Sequence, residues 1–339
     1  MLHEKSPKNI SMTEHSQNPA TKAVNKFALQ RRETMPEEQD LSINELSSMP
    51  PFYGEVAIQN NLGFMFLGGS DCGTALRLFW NGKYEATSIK IWAKLCNKAS
   101  QIYDIGAHTG IYTISALAAS PKHKINTSTF IHSFEPYIVN FLRLALNCKL
   151  NQVANNAAIH QLAVSSTNKQ VDIHIPSTTS DYNTAGPTLQ KTGLTSKNFT
   201  TTKVLCISID EYINNLMKTK NNNQHQEQKK SFDLFKIDVE GNEPEVLKGM
   251  HGKLSSDPPI LLIECVNESP TQQVSDILSR LNYRFYRIND KTNKLIRASS
   301  LTIIKKNNGA GHSILDRDNL NALCIPSFIT EAQLANLIN

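Results

Sequence analysis

The sequence predicts an α/β fold: a largely parallel sheet with helices on both faces, an N-terminal β-rich extension and a β-hairpin insertion. Three observations carry this. Ile102-Tyr-Asp-Ile-Gly106-Ala-His-Thr-Gly110 runs from an apolar strand into a glycine turn, and apolar residues including Ile111, Ile114 and Ala118 follow at once as a helix. A second apolar run, Thr129–Phe134, ends at Glu135-Pro136. From there strand-type and helix-type segments alternate, and a helix between two strands allows them to pair in parallel.

Composition sets the bounds. A chain of 339 residues can hold one large α/β domain with extensions. Its formal charge of +5 is mild, and no basic run with interleaved aromatics marks a nucleic-acid site. The six cysteines, at 72, 96, 148, 206, 265 and 324, form no C-x-x-C pair and read as small hydrophobes in a reducing compartment. With no charged-then-apolar leader and no apolar run of membrane length, a cytoplasmic protein without a membrane span is the expectation. Oligomeric state has no signature in the sequence.

Taken in order, residues 1–50 are polar, mixed in charge and weakly periodic, and are read as a disordered extension dispensable for folding. Residues 51–100 form a β/α segment packed on the core. There Tyr53–Ile58, Gly63–Leu67 and Ala75–Trp80 read as antiparallel strands, with Asn81-Gly82 as a hairpin turn. Thr87 or Ser88 is expected to cap a helix over Ile89–Cys96. The main domain spans 101–328. Its helix Ile138–Leu150 follows Glu135-Pro136, and Ala157–Val164 is the third strand. An insertion over 165–231 holds paired strands, Val171–Ile175 and Lys203–Ile209, around a Ser/Thr/Asn/Gly-rich loop, Ser177–Thr202, that contacts the acceptor or is a plain insertion. A helix over Asp210–Met217 and a Lys/Asn/Gln linker close it. Phe232–Val239 and Pro258–Cys265 are the fourth and fifth strands, Ser269–Asn282 a helix, and Tyr283–Ile288 a strand. Leu301–Lys305 is a further β segment, Asn321–Pro326 the last strand, and 329–339 a C-terminal helix.

The glycine turn carries the chemistry. Its pattern is D-x-G-x-x-x-G, not the G-x-G-x-x-G of dinucleotide sites, because His108 stands where a second glycine would let a pyrophosphate touch backbone. That disfavours a nicotinamide cofactor. Glu135, at the end of the second strand, is placed to accept hydrogen bonds from two ribose hydroxyls. A nucleoside with an amino-acid tail, S-adenosylmethionine, fits both features; the alternative for Glu135 is a surface acid before a helix.

At these residues the chain resembles the FkbM-type methyltransferases. The resemblance rests on Asp104-Ile-Gly106-Ala-x-x-Gly110, on Phe134-Glu135-Pro136 with Phe141, Leu144 and Asn147, and on Lys236-Ile-Asp238-Val-Glu240-Gly241-Asn-Glu243 with Val246-Leu-Lys-Gly249. It covers roughly residues 80–326, including Trp80–Glu85. Two positions depart from the family pattern: His108 stands for Asn, and Ile138 for a second Pro. The resemblance implies a Rossmann-like class I methyltransferase sheet and S-adenosylmethionine-dependent methyl transfer.

Site residues follow from strand ends, since ligands of open α/β sheets lie at the carboxyl edge. Cofactor contacts are expected from Asp104 (the methionine amine), Gly106, Ala107, His108, Gly110, Glu135, Pro136, Ala163 (adenine packing) and Asp238. Lys236, Asp238 and Glu240 alternate along the fourth strand and are expected to share one face. Two readings stand for them: a charge network capping the next helix, or a catalytic set. In the second, Asp238 lies beside the methyl donor, Lys236 orients the acceptor or acts as base if its pKa is lowered, and Glu240 positions the others. Glu85 reads as a substrate-facing acid or as a helix start. No histidine pair has metal-ligand spacing, and a divalent ion between Asp238 and Glu264 is left open. The expected acceptor is a hydroxyl on a sugar, glycolipid or small metabolite. A silent binding or scaffold protein of the same fold is the alternative.

Overall fold

The computed structural model describes residues 18–119, 131–176, 188–189, 199–220, 232–307 and 313–339. Two helices come first, α1 (Pro19–Glu33) and α2 (Ile43–Ser47). The hairpin β1 (Phe52–Ala57) and β2 (Phe64–Gly69) follows, then α3 (Gly73–Asn81) and α4 (Ala86–Cys96). The central unit begins with β3 (Ile102–Ile105), α5 (Ile111–Ala119), β4 (Ile131–Phe134), α6 (Ile138–Leu150) and β5 (Ala157–His160). The insertion contains β6 (Ala163–Val164), β7 (Gln170–Pro176), β8 (Phe199–Ile207) and α7 (Ile209–Lys220). Next are β9 (Leu234–Ile237), α8 (Glu243–Lys248), α9 (His251–Ser256), β10 (Ile260–Glu264), α10 (Glu268–Arg280), β11 (Tyr283–Asn289) and β12 (Lys294–Ala298). The chain closes with β13 (Lys305–Asn307), β14 (Ser313–Leu315), β15 (Asn321–Pro326) and α11 (Glu331–Ile338).

Eight strands form the main sheet in the order β12-β11-β15-β10-β9-β3-β4-β5. β10, β9, β3, β4 and β5 run parallel, and β15 is inserted antiparallel between β10 and β11. Strand alternation divides the core between the two faces. Ile102, Leu234 and Leu262 pack with α3, α4, α5 and α6 on one face. Tyr103, Phe235, Ile237 and Leu261 pack with α7, α8, α9 and α10 on the other. β7 and β8 pair antiparallel, which makes the insertion a hairpin, and β6 joins its edge. No helix among the described residues is long and apolar enough to cross a membrane.

Four readings of the sequence are corrected. The described part of residues 1–50 is not disordered: Asn25, Ala28 and Leu46 are fully buried. Asn25 docks α1 as an added strand would, donating to the carbonyl of Tyr53 at 2.7 Å and accepting from its N–H at 2.8 Å. A helix held by an amide, an alanine and Arg32, which donates to the carbonyl of Phe79, has no apolar stripe to announce it. Ala75–Trp80 is helix α3 and not a strand. It is enclosed almost all round, and a run as short as Ala75–Trp80 does not by itself tell helix from strand; Asn81-Gly82 ends it, with Gly82 left-handed as the cap. The third strand stops at His160, and Ala163-Val164 leaves the main sheet to pair with β8. Thr87 and Ser88 also act differently. They lie inside α4, where both backbone N–H groups donate to Asp290. Most of Ser177–Thr202 and of the Lys/Asn/Gln linker lies outside the described residues.

Candidate active site

The glycine turn is fixed by its neighbours on both sides. Gly106 has φ +80°, and a Cβ there would collide with the carbonyl of Asp238, so only glycine lets the β3 and β9 turns touch. Gly110 has φ +99° and faces the Leu144 side chain. Backbone N–H groups of Gly106 and Ala107 donate to the Phe134 carbonyl at 3.0 and 2.9 Å, tying the turn to β4. Between the glycines, His108 is itself left-handed, at φ +50°. Asn and His are both among the residues that tolerate this region, so one backbone shape accommodates the departure from the family's Asn.

Glu135 is 2 % exposed. One of its carboxylate oxygens accepts from the His108 N–H and the other from the Tyr137 N–H, each at 2.9 Å. The side chain therefore joins the glycine turn to the start of α6, with Pro136 between. Burial pushes its carboxyl up to about 7, against those hydrogen bonds and one from Asn140. Of the four lone-pair sites of the carboxylate, these three bonds leave one. Asp104 is buried beneath the turn and accepts from Thr113 at 2.6 Å, and Thr113 lies 2.7 Å from the Ser133 hydroxyl. Burial raises Asp104 to about 6, opposed by the Thr113 bond and by Lys236. Ala163 is buried with Ile173, Val204 and Cys206, and the half-buried Tyr137 packs on that cluster.

A polar row crosses the sheet on the α3/α4/α5 face. Ser133, Asp104 and Lys236 are adjacent on β4, β3 and β9. Nearer the carboxyl edge lie Asp238, Glu264 and Asn321, the last two paired across β10 and β15. Lys236 is 1 % exposed; its Nζ is 3.0 Å from Asp238 and 4.9 Å from the centre of the Tyr112 ring. The Tyr112 hydroxyl donates to Glu85 at 2.5 Å, and Asn321 Nδ2 donates to the same oxygen at 2.8 Å. Asp238 and Glu264 share a hydrogen bond.

Electrostatics assign the protons. Burial would lower Lys236, but Asp238, Glu264 and Glu85 outweigh it and hold the amine above its ordinary value. Lys236 is thus a cation, and the condition under which it would serve as base is not met. Burial raises Glu264 well above the carboxylate range, reinforced by the charge of Asp238. Burial also opposes ionisation of Asp238, but Lys236 beside it, the Glu264 bond and His108 bring it below its ordinary value. The arrangement is a protonated Glu264 donating to an ionised Asp238, which is anchored by Lys236. Asp238 is 27 % exposed at the carboxyl edge of the sheet.

Glu240 does not line up with Lys236 and Asp238. The strand ends at Ile237, and Glu240 sits exposed in the following turn at φ +54°. Glu243 holds that turn instead, accepting from the N–H groups of Val239 and Gly241 at 3.1 Å. Among the described residues eight non-glycine residues have positive φ; four are asparagines and one is Gln152, whereas the other three, Glu85, His108 and Glu240, border this edge. Strain concentrated at one edge marks functional geometry. Tyr112 and Asn321 were not foreseen; a helical tyrosine and a strand-end asparagine carry no motif. His132 and His160 are accounted for on the opposite face, each 2.7 Å from the Tyr212 hydroxyl. Among the described residues no group of three or more His, Cys, Asp or Glu is arranged to hold a metal ion.

A mostly parallel sheet, a glycine turn after β3, an acid after β4 and charged residues at the carboxyl edge define a class I, Rossmann-like methyltransferase fold. The chain belongs to the methyltransferase FkbM domain family, whose model matches residues 104–288. Among solved structures it is similar to a methyltransferase FkbM from Methylobacillus flagellatus KT, with 14% identity and a TM-score of 0.35 over 67% of this chain. The match spans 44% of that longer chain. It is also similar to the O-methyltransferase TomG from Streptomyces achromogenes, in complex with SAM (12% identity, 71% of this chain and 78% of that one, TM-score 0.36). A third similar structure is an O-methyltransferase from Bacillus cereus in complex with SAH (9% identity, 90% and 91%, TM-score 0.35). No curated protein matches the chain.

Proposed function

We propose that the protein is an S-adenosylmethionine-dependent O-methyltransferase acting on a hydroxyl of a sugar, glycolipid or other small metabolite. The observation that carries this reading is the acid Asp238 at the carboxyl edge beside the glycine turn, 27 % exposed, held by the buried Lys236 at 3.0 Å and backed by Glu264. Bound there, the cofactor supplies an electrophilic methyl group on a sulfonium. The residues present suit it: carboxylates favour a cationic centre, and the turn Gly106-Ala107-His108 with Gly110 offers backbone for the amino-acid tail. Glu135, Pro136 and Ala163 lie on the nucleoside side, and Asp104 supports the turn from beneath.

The acceptor hydroxyl is a weak nucleophile until its proton has a destination. Asp238 would take that proton as the methyl group passes to the oxygen, which leaves both Asp238 and Glu264 uncharged and the Lys236 ammonium behind them. Lys236 holds Asp238 in place and ionised before the reaction. Glu85 and Asp238 against the one ammonium of Lys236 disfavour an anionic acceptor and suit a hydroxyl donor. The Asn321 Oδ1 is buried without a hydrogen-bond partner among the described residues.

Calorimetry with S-adenosylhomocysteine, followed by transfer of a labelled methyl group to a panel of hydroxylated saccharides, tests the reading. Asp238→Asn should keep homocysteine-ligand affinity within about threefold and lose about 10²-fold or more in turnover, the scale of general-base catalysis. Near-wild-type turnover in this variant would remove Asp238 from the chemistry.

A further inference from the structure

We propose that Arg77 binds the amino-acid carboxylate of the cofactor, an inference that rests on the cofactor reading above. Seven of the nine residues of α3 are buried, leaving only Gly73 and Arg77, one helical turn apart, partly open. Arg77 Nη1 folds back toward Gly73, where it is the single group within 4 Å of the place a Cβ would occupy, at 3.8 Å. Cys72, immediately before Gly73, has its Sγ 3.4 Å from the Thr109 hydroxyl, and that hydroxyl is 3.4 Å from His108 Nδ1. The start of α3, with the guanidinium folded back on it, therefore packs against the glycine turn. Tyr84 lies within reach of the charges of Arg77, Glu85, Asp238 and Glu264. Arg77 thus shares a neighbourhood with both the turn and the carboxylate cluster.

Charge makes the assignment. A ligand carboxylate entering this edge meets the acids Asp238 and Glu85, and needs a cation close by. The neighbouring cations are engaged: Lys236 with Asp238, Arg143 with Asp71, and Lys83 with Glu38. Arg77 has no hydrogen bond or ion pair among the described residues. A planar guanidinium presents paired N–H donors that match a carboxylate. The sulfonium and amine of the same ligand then fall toward the acids, so opposite ends of one zwitterionic tail meet opposite charges.

Calorimetry with two ligands separates the tail from the nucleoside: S-adenosylhomocysteine, and 5′-methylthioadenosine, which lacks the amino-acid group. Arg77→Met is expected to weaken S-adenosylhomocysteine by about ten- to a hundredfold, the scale of a lost charge-assisted hydrogen bond. Methylthioadenosine should bind this variant as it binds the wild type, and Arg77→Lys should fall between. Equal losses for both ligands, or none for either, would overturn the assignment. Unchanged S-adenosylhomocysteine binding with a raised KM for glucuronate would overturn it too, by giving the arginine to an anionic acceptor. A wild-type protein that binds neither ligand would instead remove the cofactor reading and this inference with it.

Discussion

Lys236→Met tests the buried charge network directly. The ammonium lies 3.0 Å from Asp238, with the lysine 1 % and the aspartate 27 % exposed. At an effective dielectric of about 20, two unit charges at that separation attract by about 5 kcal/mol. Partial exposure of Asp238 and the desolvation of the lysine itself reduce the net effect. Losing one partner of a largely buried pair costs about 3–5 kcal/mol, most of it the penalty for the charge left behind. We expect a loss of about 3 kcal/mol at pH 8. Asp238 escapes that penalty by taking up a proton, so the cost should shrink on acidification, by at most about 1.4 kcal/mol per pH unit. Adding Asp238→Asn removes the stranded charge and should restore much of the loss. The assay is urea denaturation of wild type, both single variants and the double variant at pH 6 and pH 8. If the double variant is no more stable than Lys236→Met at pH 8, or if the Lys236→Met deficit is the same at both pH values, the ion-pair account is wrong.

Three further outcomes are expected. Gly106→Ala forces a Cβ against the Asp238 carbonyl at φ +80°; it should cost several kcal/mol (about 1–2 from backbone handedness alone), and a melting temperature equal to wild type would show that the two turns separate freely. A chain beginning at Met49 loses the buried Ala28, Leu46 and Asn25, contrary to the expectation from sequence; burial of Leu46 at about 2 kcal/mol and two hydrogen bonds at about 1 kcal/mol each predict a loss of roughly 4 kcal/mol, checked by calorimetric melting. Glu135 has its folded-state pKa raised from 4.5 to about 7, so the folded protein holds that proton more tightly. Its contribution to stability is full below about pH 4.5 and is lost as pH rises through 7, up to about 3 kcal/mol; Glu135→Gln should lose less stability than wild type between pH 5 and pH 8, and identical slopes would rule this out.

Much of the central fold was legible because its signals are local. The run from Ile102 to Gly110 declares strand, turn and helix by hydrophobicity and glycine placement, and Phe134-Glu135-Pro136 marks the next strand end in the same way. Val171–Ile175 and Lys203–Ile209 alternate as hairpin strands should. Where burial is complete or uses polar groups, that local signal vanishes. The apolar run in α3 is too short to tell helix from strand, and α1 docks through Asn25 bonded to a backbone 28 residues away.

The sequence by itself determined which residue types reach the carboxyl edge: Asp104, His108, Glu135, Lys236 and Asp238 follow from strand ends and side-chain alternation. Only the tertiary structure decided what each does there. It turned Glu135 toward the backbone of His108 and Tyr137, ended β9 before Glu240, and brought Glu85 from α4, Tyr112 from α5 and Asn321 from β15 onto one network with Lys236. Glu85 and Asn321 are separated by 236 positions yet share a hydrogen bond. Protonation states depend on burial and on charges a few ångströms away in space, which chain order does not encode. A lysine that from sequence could be base or anchor therefore becomes, once its neighbours are placed, a fixed cation.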